Sequence, residues 1–321
     1  MSSLVTVIIP VYNRELEIKR SVESVLRQGI DIDLIIVDDG STDNTASICD
    51  EYARSYENIT VIHTSNSGVS QARNIGLDHV NTKYLMFLDS DDELADNAVR
   101  NLVEAADDNS ADMVIGRIQA RTLEGETRNF VIPDKFNNTI ISEREFWELA
   151  NYPGIYMGVA VSIKLYRSTV WKDIRFPVGV KRHEDEYMIH KYVGNCDIIY
   201  SLDKVTYIQY FHKVDAGLSS GRFIFMDLFG SRSRVERCEY LINKKIYDAA
   251  LETFGFGTRI LIQGDRTLHD EVSKKEVREL NKEYKRLAKE LIPNVGFANK
   301  IRLLLFCINL RLYGRVREIL R

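Results

Sequence analysis

Cysteine and proline are scarce in this chain, and both shortages restrict what the protein can be. The four cysteines, Cys49, Cys196, Cys238 and Cys307, form no Cys-x-x-Cys pair and no Cys/His cluster at zinc spacing. Scattered cysteines of this kind are typical of buried thiols in a reducing compartment, not of a disulfide framework or a zinc module. Five prolines and no low-complexity tract argue against long disordered linkers.

Long apolar runs are missing as well. No stretch approaches the ~20 apolar residues that a membrane-crossing helix needs. The apolar run at residues 5–11 lacks a basic leader and is too short for the core of a signal peptide followed by a cleavage site. We therefore expect a cytoplasmic protein.

Two glycine-rich nucleotide-binding fingerprints are also missing. No G-x-G-x-x-G follows the first predicted strand, and no G-x-x-x-x-G-K-[ST] occurs anywhere. Both absences disfavour dehydrogenases and P-loop enzymes. The composition, 45% hydrophobic and 28% charged over 321 residues, is that of a soluble globular chain with one large core and a smaller appended unit.

Net charge is small but unevenly distributed. The formal charge of −4 predicts no polyanionic partner, such as nucleic acid, for the whole molecule. Residues 222–321 carry 21 basic and 13 acidic side chains, a net charge of +8, which leaves −12 on residues 1–221. The two parts are predicted to face different partners.

Strand and helix patterns alternate along the first part. Apolar runs at residues 5–10, 34–37, 59–63 and 84–88 predict buried strands, the first ending at Pro10. Helical patterns follow them: one begins at Leu16, one is capped by Ser41 or Thr42, one covers residues 69–80 and one begins at Leu94. This alternation predicts a mostly parallel α/β sheet flanked by helices, with functional loops along its carboxyl edge.

Beyond residue 222 the pattern is helical without strands. The predicted helices cover residues 223–242, 245–254, 272–291 and 301–319, with breaks at residues 255–257 and 292–294. An all-helical C-terminal domain is therefore expected.

The strand at residues 84–88 ends at a group of carboxylates. Asp89 and Asp91, at positions i and i+2, can turn their oxygens towards one point and hold a divalent ion that keeps other positions for phosphate oxygens. The alternative is helix capping, because Asp91, Asp92 and Glu93 precede an amphipathic run whose N-terminus favours negative charge.

Four motifs in fixed order carry a family resemblance. They are VTVIIPVYN (residues 5–13), IVDDGSTD (36–43), NSGVSQARNIG (66–76) and FLDSDD (87–92). Together they resemble the family 2 inverting glycosyltransferases of GT-A fold, densely over about the first 120 residues and thinly to about residue 220. The resemblance implies a GT-A catalytic domain at residues 1–221, with UDP-sugar binding in residues 1–120 and the acceptor and base region in residues 121–221, and a helical domain at residues 222–321.

The resemblance and side-chain chemistry together assign a donor site. Tyr12 is predicted to offer its ring to the nucleobase, or else to pack on its own loop. Asp39 is predicted to accept hydrogen bonds from uracil, while Asp38 orients the loop. Arg73 is predicted to grip a ribose or pyrophosphate oxygen, with a surface salt bridge as the alternative. The other predicted donor contacts are Pro10, Gly68, Asp89 and Ser90.

Metal and base are assigned through the same resemblance. Asp91 is expected as the firmer metal ligand with Asp89 beside it, and Mn²⁺ is favoured over Mg²⁺ by resemblance alone. His212 is expected as a further metal ligand or phosphate contact, or as a structural residue. Asp185 matches the family's catalytic base, which takes the proton of the acceptor hydroxyl. The alternative for Asp185 is a capping cluster with Glu184 at a helix start.

The implied function is metal-dependent, inverting transfer of a hexose or N-acetylhexosamine from a UDP-sugar to a hydroxyl of a glycan acceptor. Bacterial surface polysaccharide or glycoprotein glycan synthesis is the implied setting. A non-catalytic nucleotide-sugar-binding scaffold and a nucleotidyltransferase are the alternatives. Four aromatic residues either stack on acceptor sugars or pack in the core: Trp147, Tyr152, Tyr156 and Trp171.

The last predicted helix is basic and amphipathic. Its apolar residues include Ile301, Leu304, Leu305, Ile308, Leu312 and Val316. Such a helix can lie on an anionic membrane surface, so that the protein is peripheral at the inner face of the membrane. It can also pack on the catalytic domain or form a dimer interface, and packing of either kind is favoured.

Overall fold

The computed structural model describes residues 3–130, 132–152, 159–211 and 223–319. The chain divides into two compact units, residues 1–181 with 191–216 and residues 182–190 with 217–321. The sequence-based division placed residues 182–190 in the first part. Two predicted positions, Tyr156 and His212, lie outside the described residues.

The first unit begins with four strands separated by helices, as the alternation predicted. The elements are β1 Val5–Val11, α1 Ile18–Leu26, β2 Ile32–Asp38, α2 Thr45–Ser55, β3 Ile59–His63, α3 Val69–Asp78 and β4 Tyr84–Phe87. The strands pair in parallel in the order β3-β2-β1-β4, so all four carboxyl ends lie at one edge. Because both faces of β1 are covered, every one of its residues is buried.

The sheet continues through strands that come later in the chain. These elements are β5 Glu93–Leu94, α4 Ala98–Asp108, β6 Met113–Thr122, β7 Thr127–Asn129, β8 Thr139–Ile141, α5 Glu143–Ala150, β9 Lys164–Arg167, α6 Glu184–Gly194 and β10 Ile199–Phe211. The order runs β4-β9-β6-β10-β5, with β7 on β6 and β8 on β10. Among these later strands, as far as the structure describes them, β6 and β10 pair in parallel and the other pairs are antiparallel. The whole sheet is therefore mixed, with β1 to β4 as its continuous parallel part.

Pro10 does not end the first strand, which runs on to Val11. The carbonyl of Ile8 accepts from the N–H of Leu88, and Pro10, two residues further on, faces the same side of β1. The last β1 residue paired with β4 is Ile8, so Pro10 lies past that pairing. Its missing N–H therefore removes no hydrogen bond from the sheet.

Three predicted helix starts were too early. Leu16 is exposed and precedes α1, and α2 begins at Thr45 with Asn44 as its N-cap. Ser41 and Thr42 bond the loop after β1 instead of capping α2. The helix predicted from Leu94 begins at Ala98, because Leu94 pairs with β10.

Aromatic side chains fill the core between the sheet and the segment after β9. The ring of Trp171 stacks on Phe176 at 5.2 Å and meets Phe87 edge-on at 5.1 Å between centroids. Trp147 is also fully buried. Both tryptophans therefore pack in the core, whereas Tyr152 is partly exposed.

The second unit contains five further helices among its described residues. They are α7 Leu228–Asn243, α8 Tyr247–Thr267, α9 Glu271–Leu291, α10 Phe297–Ile308 and α11 Leu310–Ile319. The predicted break at residues 292–294 is confirmed, but the one at residues 255–257 is wrong, since these residues continue α8. A Cβ on Gly257 would lie 1.7 Å from the hydroxyl of Tyr284, so this glycine allows close helix packing. None of the helices in the described ranges is both long and apolar enough to cross a bilayer.

Candidate donor-binding and acid sites

The loops at the carboxyl ends of β1, β2 and β4 form the candidate site of the first unit. Tyr12 follows β1 with 43% of its surface exposed. Its neighbour Asn13 holds the loop after β2: its N–H donates to Ser41 Oγ at 2.9 Å, and its Oδ1 accepts from the N–H of Thr42 at 2.8 Å. Asn13 lies in the motif but was not singled out from the sequence, and it fixes the base of the Tyr12 loop.

The two acids after β2 have different partners. Asp38 is buried, and its Oδ1 accepts from the N–H of Ser41 at 3.0 Å while its Oδ2 contacts Nδ1 of His63 at 2.9 Å. Hydrogen bonds to Asp38 and then Asp50 raise the pKa of His63. Asp38 therefore orients this loop.

Asp39 ties the loop after β2 to the start of α3. Its two oxygens accept from the N–H groups of Ser67 at 2.8 Å and Gly68 at 2.7 Å, and its side chain is buried. Gly40 has φ +74°, and a Cβ there would lie 2.8 Å from the N of Asn66, so this position requires glycine. Gly68 also has a positive φ, of +93°. The geometry gives Asp39 a loop-holding role that the sequence did not predict.

Asp89 and Asp91 are half exposed beside two arginines. The side chains of Asp89 and Asp91 are 35% and 40% exposed. Arg73 Nη2 donates to Asp89 Oδ1 at 3.0 Å, and Arg14 Nη2 lies 3.5 Å from Asp91 Oδ2. The surface salt bridge considered for Arg73 is wrong, because this side chain is buried. Ser90, between the two acids, is buried as well.

The capping interpretation of this acidic cluster is also wrong. Helix α4 begins at Ala98 with Asn97 as its N-cap, and its first turn holds no acid. Glu93 lies in β5 and pairs with Arg27 at 2.8 Å and Arg121 at 3.1 Å.

Asp92 connects the acidic motif to β10. The hydroxyl of Tyr207 donates to Asp92 Oδ2 at 2.8 Å, and the N–H of Tyr210 donates to Oδ1 at 2.9 Å. Burial, followed by the charges of Asp89 and Asp91, raises the pKa of Asp92 well above its usual range. Tyr207 Oη also lies 3.3 Å from Asp89 Oδ2. Sequence reasoning missed Tyr207, and no local signal marks it.

Asn74, beside Arg73 in the third motif, anchors a distant segment. Its Nδ2 donates to the carbonyl of Phe176 at 2.9 Å, and its Oδ1 accepts from the N–H of Phe176 at 2.8 Å. Phe176 in turn lies under the Arg73 guanidinium, with 5.2 Å between the guanidinium carbon and the ring centroid. Asn74 thus fixes the backbone of the residue whose ring contacts the Arg73 guanidinium.

Burial and the charge of Asp89 raise the pKa of Asp91, and Arg14 opposes them. Within the described ranges, no group of three His, Cys, Asp or Glu side chains is arranged to hold a metal ion. Asp89 and Asp91 are therefore described as two half-exposed carboxylates, which stay predicted metal ligands, and His212 lies outside the described residues.

Asp185 lies in the second unit, in the first turn of α6, together with Glu184 and Glu186. Glu186 is held by ion pairs with Arg234 and Arg237. Burial opposes ionisation of Glu186, but the two arginines outweigh it and lower the pKa of that carboxyl. Glu186 therefore anchors the start of α6, while Asp185, half buried beside it, stays a predicted base.

Residues 6–164 match the model of a family described as glycosyl transferase family 2. Glycosyltransferase GlyG of Streptococcus pneumoniae serotype 4 is 29% identical over 260 residues, which cover 78% of this chain and 82% of GlyG. The minor teichoic acid biosynthesis protein GgaB of Bacillus subtilis is 33% identical over 189 residues. That match covers 58% of this chain but only 20% of GgaB.

A solved structure shares the fold. TarS residues 1–349 of S. aureus, in complex with UDP-GlcNAc, superposes with a TM-score of 0.73 at 20% identity. The match covers 98% of this chain and 90% of that one. Together with the mixed sheet and the helical C-terminal region, it shows that the architecture is GT-A-like, as expected from the motifs.

Proposed function

This chain is a glycosyltransferase that belongs, through residues 6–164, to glycosyl transferase family 2, and we propose that it moves a hexose or N-acetylhexosamine from a UDP-sugar to a hydroxyl of a bacterial surface glycan. One observation carries the proposal: a single sheet edge holds the exposed ring of Tyr12 and the half-exposed carboxylates of Asp89 and Asp91. The UDP-GlcNAc bound to TarS supports the donor class, and the teichoic acid role named for GgaB supports the acceptor class.

Recognition of the UDP moiety is assigned to the loops after β1 and β2. The Tyr12 ring offers a face on which uracil can stack. Each carboxylate oxygen of Asp39 accepts one backbone N–H and keeps a second lone pair, which suits the N–H edge of uracil. Pro10, Gly68 and Ser90 are proposed as further contacts at the same edge.

The residues after β4 fit a divalent cation, Mn²⁺ or Mg²⁺. Burial and then the charge of Asp89 raise the pKa of Asp91, and a bound cation would favour the ionised carboxylate against both. With only Asp91 and Asp89 as protein ligands among the described residues, the remaining coordination positions suit diphosphate oxygens, with His212 as a proposed addition. When bound, such a cation neutralises the diphosphate as the sugar–phosphate bond breaks. Arg73 holds Asp89 in place for this role.

Asp185 is proposed as the base of a single inverting displacement. The acceptor oxygen forms a bond to C1 of the sugar, its proton passes to a carboxylate oxygen of Asp185, and the electrons of the broken C1–O bond leave with UDP. The ion pairs of Glu186 fix the backbone of this first turn of α6. The assignment of Asp185 and the inversion are supported by the sequence resemblance.

A donor panel tests the proposal. UDP-glucose, UDP-galactose and their N-acetylated counterparts are incubated with the full chain, with and without Mn²⁺, and released UDP is measured. We expect release from at least one donor, dependent on added metal. No release from any donor under either condition would contradict the proposal.

The substitution Asp185→Asn removes the proposed proton acceptor. Because the amide cannot accept the proton, turnover should fall by about 10²–10⁴-fold while UDP binding is retained. Asp173→Asn, at an exposed acid, is the matched control and should leave both unchanged. Turnover kinetics and calorimetric UDP titration measure the two effects. Equal turnover in both variants would favour a base other than Asp185.

A further inference from the structure

Helix α10 presents an apolar stripe on its outward side, formed by Phe297, Ile301, Leu304 and Ile308. These side chains are 80%, 51%, 51% and 75% exposed. Their spacing of four, three and four residues aligns them on one side of the helix. An aligned apolar surface of this kind marks an interaction site, unlike apolar side chains scattered singly.

The opposite side of the same helix is already packed. Leu303 and Phe306 are buried, and the Phe306 ring lies 5.1 Å from Phe254 and 5.3 Å from Tyr313 between centroids. Helix α10 therefore packs on its own helical unit through Leu303 and Phe306, which are not among the apolar residues predicted to pack. The stripe is not needed to attach α10 to its own unit.

The segment that contains the stripe carries charges of one sign along the sequence. From Ile292 to Val316 the chain carries Lys300, Arg302, Arg311 and Arg315 and no aspartate or glutamate. Lys300 and Arg302 lie within the stripe's own helix, and Arg302 is exposed. Helix α10 itself carries Lys300 and Arg302 and no acidic residue, whereas Arg311 is paired with Asp265 of α8. An apolar stripe on a helix whose charges are all basic is complementary to a surface that is apolar beneath a negatively charged layer.

We propose that the stripe of α10 docks on the surface of an anionic phospholipid bilayer, with Phe297, Ile301, Leu304 and Ile308 in the boundary between headgroups and acyl chains and Lys300 and Arg302 on the headgroups. A second copy of this chain is the rival apolar partner. Two-fold pairing of identical stripes would bring the basic residues of the two copies close together, and their repulsion disfavours it. The docking does not depend on which sugar is transferred.

Vesicle sedimentation of the full chain tests the docking. Vesicles of phosphatidylglycerol with phosphatidylcholine should bind the protein at low salt and lose it at high salt, and phosphatidylcholine vesicles should bind much less. Ile308→Asp should weaken binding to the anionic vesicles by at least about tenfold. Val272→Asp, at a position 67% exposed in the first turn of α9, is the matched control and should bind normally.

Charge reversal provides the second arm. Lys300→Glu with Arg302→Glu should weaken binding to anionic vesicles, whereas Lys275→Glu with Lys282→Glu, at exposed lysines of α9, should change it much less. Melting temperatures and turnover of a soluble donor verify that all variants fold. The proposal is overturned if the anionic vesicles bind no protein, or if Ile308→Asp and Val272→Asp bind equally. It is also overturned if sedimentation velocity without lipid shows a dimer that Ile308→Asp dissociates.

Discussion

The three aspartates after β4 have different surroundings and therefore different tasks. Asp92 is buried and takes hydrogen bonds from Tyr207 and from the backbone of Tyr210, whereas Asp89 and Asp91 keep about a third or more of their side chains exposed. Asp92 therefore holds the loop in place, and Asp89 and Asp91 on the same loop stay accessible. The hydroxyl of Tyr207 donates one of the two hydrogen bonds that hold Asp92.

We predict that Tyr207→Phe lowers both stability and activity. Loss of the hydroxyl removes a donor from the buried carboxyl of Asp92, which should cost about 1–3 kcal/mol of unfolding free energy. The rate of UDP release should fall as well, because Asp89 loses the same neighbour. Urea unfolding and kcat/KM for the donor measure the two effects.

Tyr200→Phe on the same strand is the matched control for Tyr207→Phe. Tyr200 is half buried on β10, away from the acidic cluster in the strand register. If both substitutions have the same effect on kcat/KM, the hydrogen bond from Tyr207 to Asp92 has no functional role.

At this scale the sequence indicated the ends of strands but not the bonds between them. Tyr12, Asp39 and Arg73 were singled out because each lies in a local motif, the first two in predicted loops and Arg73 in the helix predicted over residues 69–80. Tyr207 lies 115 residues from Asp92 along the chain, and only the pairing of β10 with β5 brings the two together. The bond of Asp39 to Ser67 and Gly68 was missed for the same reason.

Helices α7, α8 and α9 pack closely around a glycine. The hydroxyl of Tyr284 on α9 donates to the carbonyl of Ser231 on α7 at 2.7 Å, directly beside Gly257 on α8. Local propensity treats residues 255–257 as a helix break, but tertiary packing overrides it. Tertiary structure also overrides the sequence pattern at the start of α4. The periodicity predicted a helix from Leu94, but Leu94 pairs with β10 and the helix begins at Ala98.

We predict that Gly257→Ala destabilises the protein by about 1–3 kcal/mol, although alanine is the better helix former, because its Cβ would overlap the Tyr284 hydroxyl. Chemical unfolding measures the change. Combining it with Tyr284→Phe removes the overlapping atom, so the double variant should lose less than the sum of the single losses. Strict additivity would show that the contact with Tyr284 is not the cause.

The whole molecule relies on packing without covalent cross-links among its described residues. All four cysteines are free, and burial raises the pKa of the Cys49 thiol to about 12. The alternation of strands and helices followed by helices alone was predictable, since it follows from periodicity along the chain. The sequence could not show that residues 182–190 belong to the second unit, because Arg234 and Arg237, the partners of Glu186, lie 48 and 51 residues later.

We predict that a thiol reductant leaves the melting temperature unchanged, because reduction breaks no bond in a protein with four free thiols. Thermal unfolding with and without dithiothreitol measures this. A lower melting temperature in reductant would reveal a disulfide and contradict the predicted thiol state.

The ion pairs of Glu186 limit how this enzyme can be shortened or recombined. A fragment that stops at the end of the sheet would keep Glu186 and discard Arg234 and Arg237. The Glu186 carboxylate, which is only 16% exposed in the intact chain, would then lack its counter-charges. Breaking a buried pair in this way costs about 3–5 kcal/mol of stability. The charge left without a partner would lie one residue from Asp185. Chimeras that recombine this chain with a relative should therefore move residues 182–190 and α7 together.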